Sequence, residues 1–190
     1  MKTASTPAMK ITPLEIPDVL VIRPRVFEDA RGFFLETYHK ERFLAAGLDA
    51  EFVQDNHSGS ARGSLRGLHY QISRPQGKLV RLVRGEAFDV AVDLRRKSPT
   101  FGGWVGVHLS ADKKDQLWVP PGFAHGFYVL SEWAEVLYKA TDYYAPQWER
   151  SLLWSDPDLG IDWPIPEGTA PLLSDKDRNG SPLANAQVYD

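Results

Sequence analysis

Short apolar runs, each closed by Gly, Pro, Asp or Asn, recur along most of this chain, and that punctuation narrows the choice of fold more than any other feature. Runs of this kind with frequent turn residues belong to an all-β sandwich or barrel. The clearest of them, Phe88-Asp89-Val90-Ala91-Val92-Asp93-Leu94, alternates strictly. Phe88, Val90, Val92 and Leu94 therefore face a core, while Asp89 and Asp93 face the opposite side. Arg84-Gly85-Glu86 and Pro120-Pro121-Gly122 read as tight turns that predict antiparallel hairpins rather than helical crossovers. Strands are expected at 19–23, 32–38, 51–57, 65–71, 78–83, 86–94, 104–110, 116–119, 126–130 and 134–144. One short helix is expected over 40–48, with Phe43, Leu44 and Leu48 on a shared face and Gly47 ending the last turn. A double-sheet jelly roll accommodates these elements best. Beyond Tyr144 the chain is rich in Pro, Asp and Gly around Trp148, Trp154 and Trp163, a tail expected to pack over the barrel rather than extend its sheets. The 190 residues suit a single domain, with a jelly-roll core over about 16–145 and a C-terminal segment over 146–190.

Composition removes several functional classes. A formal net charge of −3 lacks the basic footprint of phosphate-backbone binding, so no nucleic-acid partner is expected. The chain has no cysteine, which excludes disulfides, thiolate metal sites and thiol nucleophiles and fits a cytoplasmic location. The opening MKTASTPAMK lacks the apolar centre of a signal peptide, and no stretch reaches the roughly 18 apolar residues of a membrane span. No membrane partner is expected.

The five histidines are His39, His57, His69, His108 and His125. A metal site built on a His-x-His strand pair is not expected, because Gln71 occupies the second position after His69 and no Glu follows at a suitable distance. Alternation places His69 on the face shared by Gly67 and Gln71, where small neighbours leave space. Such a histidine is often no more than a satisfied core residue. Lys78, however, opens the next strand after Pro75-Gln76-Gly77, and a hairpin there would bring its ammonium near His69. A cation so placed would stabilise an enolate oxygen and keep the imidazole unprotonated as a base. Tyr138 and Tyr144 share a parity, so one could donate a proton while the other stacks, although aromatic residues are also simply good strand formers.

Five segments carry a specific likeness: Gln54-Asp55-Asn56-His57-Ser58, Leu65-Arg66-Gly67-Leu68-His69-Tyr70-Gln71, Gln76-Gly77-Lys78-Leu79-Val80-Arg81, Phe88-Asp89-Val90-Ala91-Val92-Asp93 and Pro121-Gly122-Phe123-Ala124-His125-Gly126-Phe127. In order, and over about 16–177, the chain resembles the dTDP-4-dehydrorhamnose 3,5-epimerase family. The resemblance implies a cupin-type jelly roll, a homodimer, no cofactor, and a dTDP-sugar substrate inverted at C3 and C5 on the way to dTDP-L-rhamnose. By position it implies His69 as base, Tyr138 as acid, Lys78 as partner of the enolate, and Asp177 as the carboxylate paired with the histidine, with Asp89 assisting. It implies substrate contacts at Arg31, Glu36, Gln54, Asn56, Arg66, His125, Glu149 and Lys176, with Tyr144 stacking on thymine. Three rivals stay open: an epimerase acting at one carbon, a metal-dependent cupin enzyme, and a non-catalytic nucleotide-sugar binding protein. Arg66 and His69 differ in parity, so a bulge at Gly67 or an arginine reaching the mouth is required to bring both to one site.

Overall fold

The computed structural model describes residues 9–190; the expectation for the extreme N-terminus therefore lies mostly outside the described residues. In chain order the elements are β1 (Met9–Pro13), β2 (Leu20–Pro24), β3 (Val26–Asp29), β4 (Gly32–Leu35), α1 (Lys40–Ala45), β5 (Gln54–Ala61), β6 (Leu65–Gln71), β7 (Lys78–Arg84), β8 (Glu86–Asp93), β9 (Trp104–Ser110), β10 (Gln116–Val119), β11 (Phe123–Val129), β12 (Trp133–Ala140), β13 (Glu149–Ser151) and α2 (Asp175–Arg178). A six-stranded sheet, ordered β1-β2-β10-β7-β12-β5, faces a five-stranded sheet, ordered β13-β6-β11-β8-β9, and β3 and β4 form a separate ribbon. This is the expected jelly roll. No helix of the described residues is long and apolar enough to cross a membrane.

Three apolar clusters hold the layers together. Val80, Leu82, Leu117 and Val136 of one sheet meet Ala91, Val105, Phe123 and Val129 of the other in the barrel interior. The tail covers the outside of the five-stranded sheet, where Leu152, Leu159 and Trp163 pack on Phe88, Val90, Val92 and Leu94. Residues 38–52, which include α1, cover the outside of the six-stranded sheet through Phe43, Leu48 and Phe52 against Leu79 and Trp118. The alternation of β8 thus holds, but its second face is the barrel interior. Asp89 and Asp93 are fully buried there.

Several expectations need correction. The turns at 84–86 and 120–122 are present, yet β7 and β8 lie in different sheets, as do β10 and β11. A tight turn serves equally as a corner between packed sheets, so turn chemistry alone did not fix the pairing. The run 126–130 begins at Phe123, 51–57 becomes Gln54–Ala61, and 134–144 stops at Ala140. The helix ends at Ala45, and Leu44 is exposed while Phe43 and Leu48 are buried. The tail does extend a sheet, since β13 pairs with β6 through Glu149 with Gln71 and Ser151 with His69. It also contributes the second helix, α2, which periodicity cannot reveal at four residues.

Candidate active site

Between the two sheets lies a cavity of about 370 Å³. The six-stranded sheet contributes Gln54, Asn56 and Ser58 of β5, Lys78 of β7 and Tyr138 of β12. The five-stranded sheet contributes Arg66 and His69 of β6, His125 and Phe127 of β11 and Glu149 of β13. Arg66 and His69 reach the same cavity because β6 is irregular. His69 pairs with His125 but Arg66 pairs with Phe127, so two residues, Gly67 and Leu68, oppose Gly126 alone. Only glycine suits this bulge: φ of Gly67 is +124°, and a Cβ there would stand 2.5 Å from the Gly126 Cα.

His69 Nε2 lies 2.6 Å from Asp177 Oδ1, so the proton it donates there fixes the tautomer and leaves Nδ1 as the basic nitrogen. Asp177 is itself held in place by local structure. Ser174 caps α2 by accepting from the Asp177 N–H, its hydroxyl donates to Asp177 Oδ2 at 2.6 Å, and the Gly67 N–H donates to Oδ1 at 3.1 Å. Burial pushes this carboxyl up, but the hydrogen bonds from His69, Ser174 and Gly67 prevail and hold it well below the usual carboxylate range. For His69 burial dominates; aided by the Lys176 and Lys78 charges, it outweighs the Asp177 hydrogen bond and lowers the imidazole below 6.5. The neutral, proton-accepting form therefore prevails at neutral pH.

Lys78 comes from the facing sheet, not from a hairpin partner of β6, and its Nζ donates to the His69 carbonyl at 3.4 Å. Burial pushes this ammonium down to about 8, against the opposing pull of Asp89 and Glu149. Tyr138 pairs with Asn56 and Val80 across β12. Burial, reinforced by the Glu149 carboxylate, raises its phenol above the usual 10, which keeps it protonated and able to donate. Glu149 organises the outer part of the cavity: it accepts from Tyr144 Oη at 3.0 Å and from Lys176 Nζ at 2.7 Å. Gln54 accepts from the Tyr144 N–H at 2.8 Å and donates to Asn56 Oδ1 at 3.0 Å. His125 Nε2 lies 2.7 Å from Asp89 Oδ1, and both side chains are buried.

Two expected contacts lie elsewhere in the chain. Arg31 sits on the exposed β3–β4 ribbon paired with Asp29, and Glu36 pairs with Arg42 at 2.7 Å. Among the described residues no group of His, Asp and Glu side chains is clustered so as to hold a metal ion.

The family model described as dTDP-4-dehydrorhamnose 3,5-epimerase matches residues 13–185. The chain belongs to this family. A dTDP-4-dehydrorhamnose 3,5-epimerase of Pseudomonas aeruginosa is 62% identical over 182 residues, covering 95% of this chain and 99% of that protein. The crystal structure of the Legionella pneumophila dTDP-6-deoxy-D-glucose-3,5-epimerase in complex with dTDP-4-keto-L-rhamnose superposes with a TM-score of 0.90 at 50% identity, covering 93% of this chain and 94% of that one. A 3'-monoepimerase of Streptomyces bikiniensis in complex with dTDP-quinovose is also similar, with a TM-score of 0.85 at 40% identity over 92% of this chain and 88% of that one. The epimerase fold is therefore shared by enzymes that invert one carbon and by enzymes that invert two.

Within this epimerase family member, four cavity residues escaped the sequence reading: Ser58, Gln76, Gly126 and Phe127. Two of them were within reach of simple periodicity. Ser58 follows Gln54 and Asn56 at strand spacing, and Phe127 follows His125 in the same way. The Ser174 contact to Asp177 was legible only as a helix cap, and the helix itself had not been anticipated.

Proposed function

We propose that this chain converts dTDP-4-dehydro-6-deoxy-D-glucose to dTDP-4-dehydro-L-rhamnose by inverting C3 and C5 through enolate intermediates. The observation that carries this reading is that the candidate base and the candidate acid project from opposite sheets into one cavity, His69 from β6 and Tyr138 from β12. A sugar ring held between them meets the base on one face and the acid on the other. Inversion demands that arrangement, because the proton must return from the side opposite to its removal.

Hydrogens on carbons beside a ketone are weakly acidic, since their loss places charge on the ketone oxygen. His69 Nδ1 takes the proton, and Asp177 stabilises the imidazolium that forms. The Lys78 ammonium donates to the enolate oxygen; in a site screened from water a fixed cation contributes several kcal/mol, by rough estimate, to such an anion. Tyr138 then protonates the carbon from the other face, and solvent restores both groups. Lys176 and Arg66 supply cationic donors for the diphosphate, and Tyr144 supplies a ring for the base.

Proton NMR of the product mixture tests this directly: the L-rhamno configuration is expected, and recovery of a sugar inverted at C3 alone would favour the one-carbon rival. The pH dependence follows from the two shifted groups. His69 works when neutral and is held below 6.5, so the acid limb lies below that value; Lys78 works when charged, so the alkaline limb lies near 8. A kcat/KM that rises steadily through pH 9 would remove Lys78 from its role.

A homodimer completes this reading. Phe33 and Phe34 on the β3–β4 ribbon are 62% and 69% exposed, and Arg31 and Glu36 stand on and just after that ribbon, away from the chain's own cavity. An exposed aromatic patch beside two misplaced substrate contacts is accounted for if the ribbon reaches a second copy and delivers them to its cavity. Light scattering should give a mass near twice the 21.4 kDa of one chain. Replacing Phe33 and Phe34 by Glu should reduce that mass and kcat/KM together; a fully active monomer would contradict the arrangement.

A further inference from the structure

Among the described residues that line the cavity, Phe127 is the one side chain other than glycine without a polar atom. It stands on β11 two residues from His125, opposite Asp89 of β8 and Arg66 of β6. Behind it lies the apolar cluster of the barrel interior, which includes Val80, Leu82 and Val136. Phe127, only 6% exposed, therefore closes the floor of the cavity against the core. Lys176 and Tyr144 are by contrast well exposed and mark the mouth.

This depth orders a nucleotide sugar. The diphosphate is attached at C1 and belongs with the cations at the mouth. C4 stands across the ring from C1, so it enters first, and its neighbours C3 and C5 arrive at the floor beside it. C3 carries a hydroxyl, whereas C5 carries the methyl group of a 6-deoxy sugar. The floor offers a polar ring at His125 and one apolar surface at Phe127.

We infer that Phe127 seats the C6 methyl and is the specificity-determining residue by which this enzyme separates 6-deoxy sugars from sugars that keep a C6 hydroxyl. The inference rests on the proposed dTDP-sugar substrate and adds to it the group that the floor selects. A methyl against the ring gains apolar contact; a hydroxymethyl in the same place would set its hydroxyl against the face of the ring and lose hydration there.

Binding of three stable ligands by calorimetry tests this without any variant: dTDP-6-deoxyglucose, dTDP-xylose, which has no C6, and dTDP-glucose. None carries a ketone, so none is turned over. The 6-deoxy ligand should bind about fourfold tighter than the xylose ligand, the worth of one buried methyl group. It should bind at least about tenfold tighter than dTDP-glucose. With phenylalanine-labelled enzyme, the C6 methyl protons should give a cross-relaxation signal to one phenylalanine ring, and that signal should vanish in Phe127→Leu. Equal affinity for dTDP-glucose and dTDP-6-deoxyglucose would overturn the inference, as would a methyl signal reaching only tyrosine rings. Failure of the epimerase reading is distinguished by the absence of proton exchange in the ketone substrate, which leaves the order of these three affinities untouched.

Discussion

His69→Ala should lose about 10⁴-fold in kcat while still folding and still binding dTDP, because the imidazole is the proposed base that takes the proton from carbon. The side chain is partly exposed at the cavity wall and lies in none of the three apolar clusters, so its removal opens no hole in the core. What it does leave is a buried carboxylate with one fewer donor. Asp177 keeps the Ser174 hydroxyl and the Gly67 N–H, so the expected stability cost is about 1–2 kcal/mol rather than collapse. Kinetics, a thermal melt and dTDP titration on one preparation separate the two effects. Activity within tenfold of the parent enzyme would end the assignment of His69 as base.

Tyr138→Phe should separate proton removal from proton return. The substitution keeps the ring that packs against the barrel interior and deletes only the hydroxyl, so the fold and the affinity for dTDP should change little. Turnover to the doubly inverted product should fall by about 10³-fold, within the range for loss of a general acid. Exchange by His69 need not fall equally, since the base can return a solvent-derived proton to the face it came from. Deuterium appearing in unconverted substrate at a rate above that of product formation is the expected signature. Unchanged epimerisation would show that the second proton arrives from elsewhere, with water at the mouth as the remaining source.

Much of the barrel was legible because strand periodicity is local. The β8 alternation identified both faces correctly, and β6, β9 and β10 were located at their observed bounds. The sheet in which each strand resides was not legible, because a Gly- or Pro-bearing turn can close a hairpin or turn a corner. Lys78 illustrates the consequence: its nearness to His69 was anticipated through a hairpin, yet it arises from two sheets facing each other. The bulge at Gly67 could be inferred from the conflicting parities of Arg66 and His69 and is present at that position. Asp177 was beyond any local argument, since it is 108 residues from His69 and its approach depends on a folded tail capped by Ser174. Arg31 and Glu36 mark the limit of a single chain, because their proposed targets belong to a second copy.

The most direct test is turnover of dTDP-4-dehydro-6-deoxy-D-glucose by the unaltered enzyme in heavy water, with deuterium located by NMR. Label at both C3 and C5 of an L-rhamno product is expected, since each inversion takes hydrogen out by way of His69 and brings solvent hydrogen in by way of Tyr138. Inverted product that retains its original hydrogen at either carbon would contradict a cavity in which base and acid act from opposite walls.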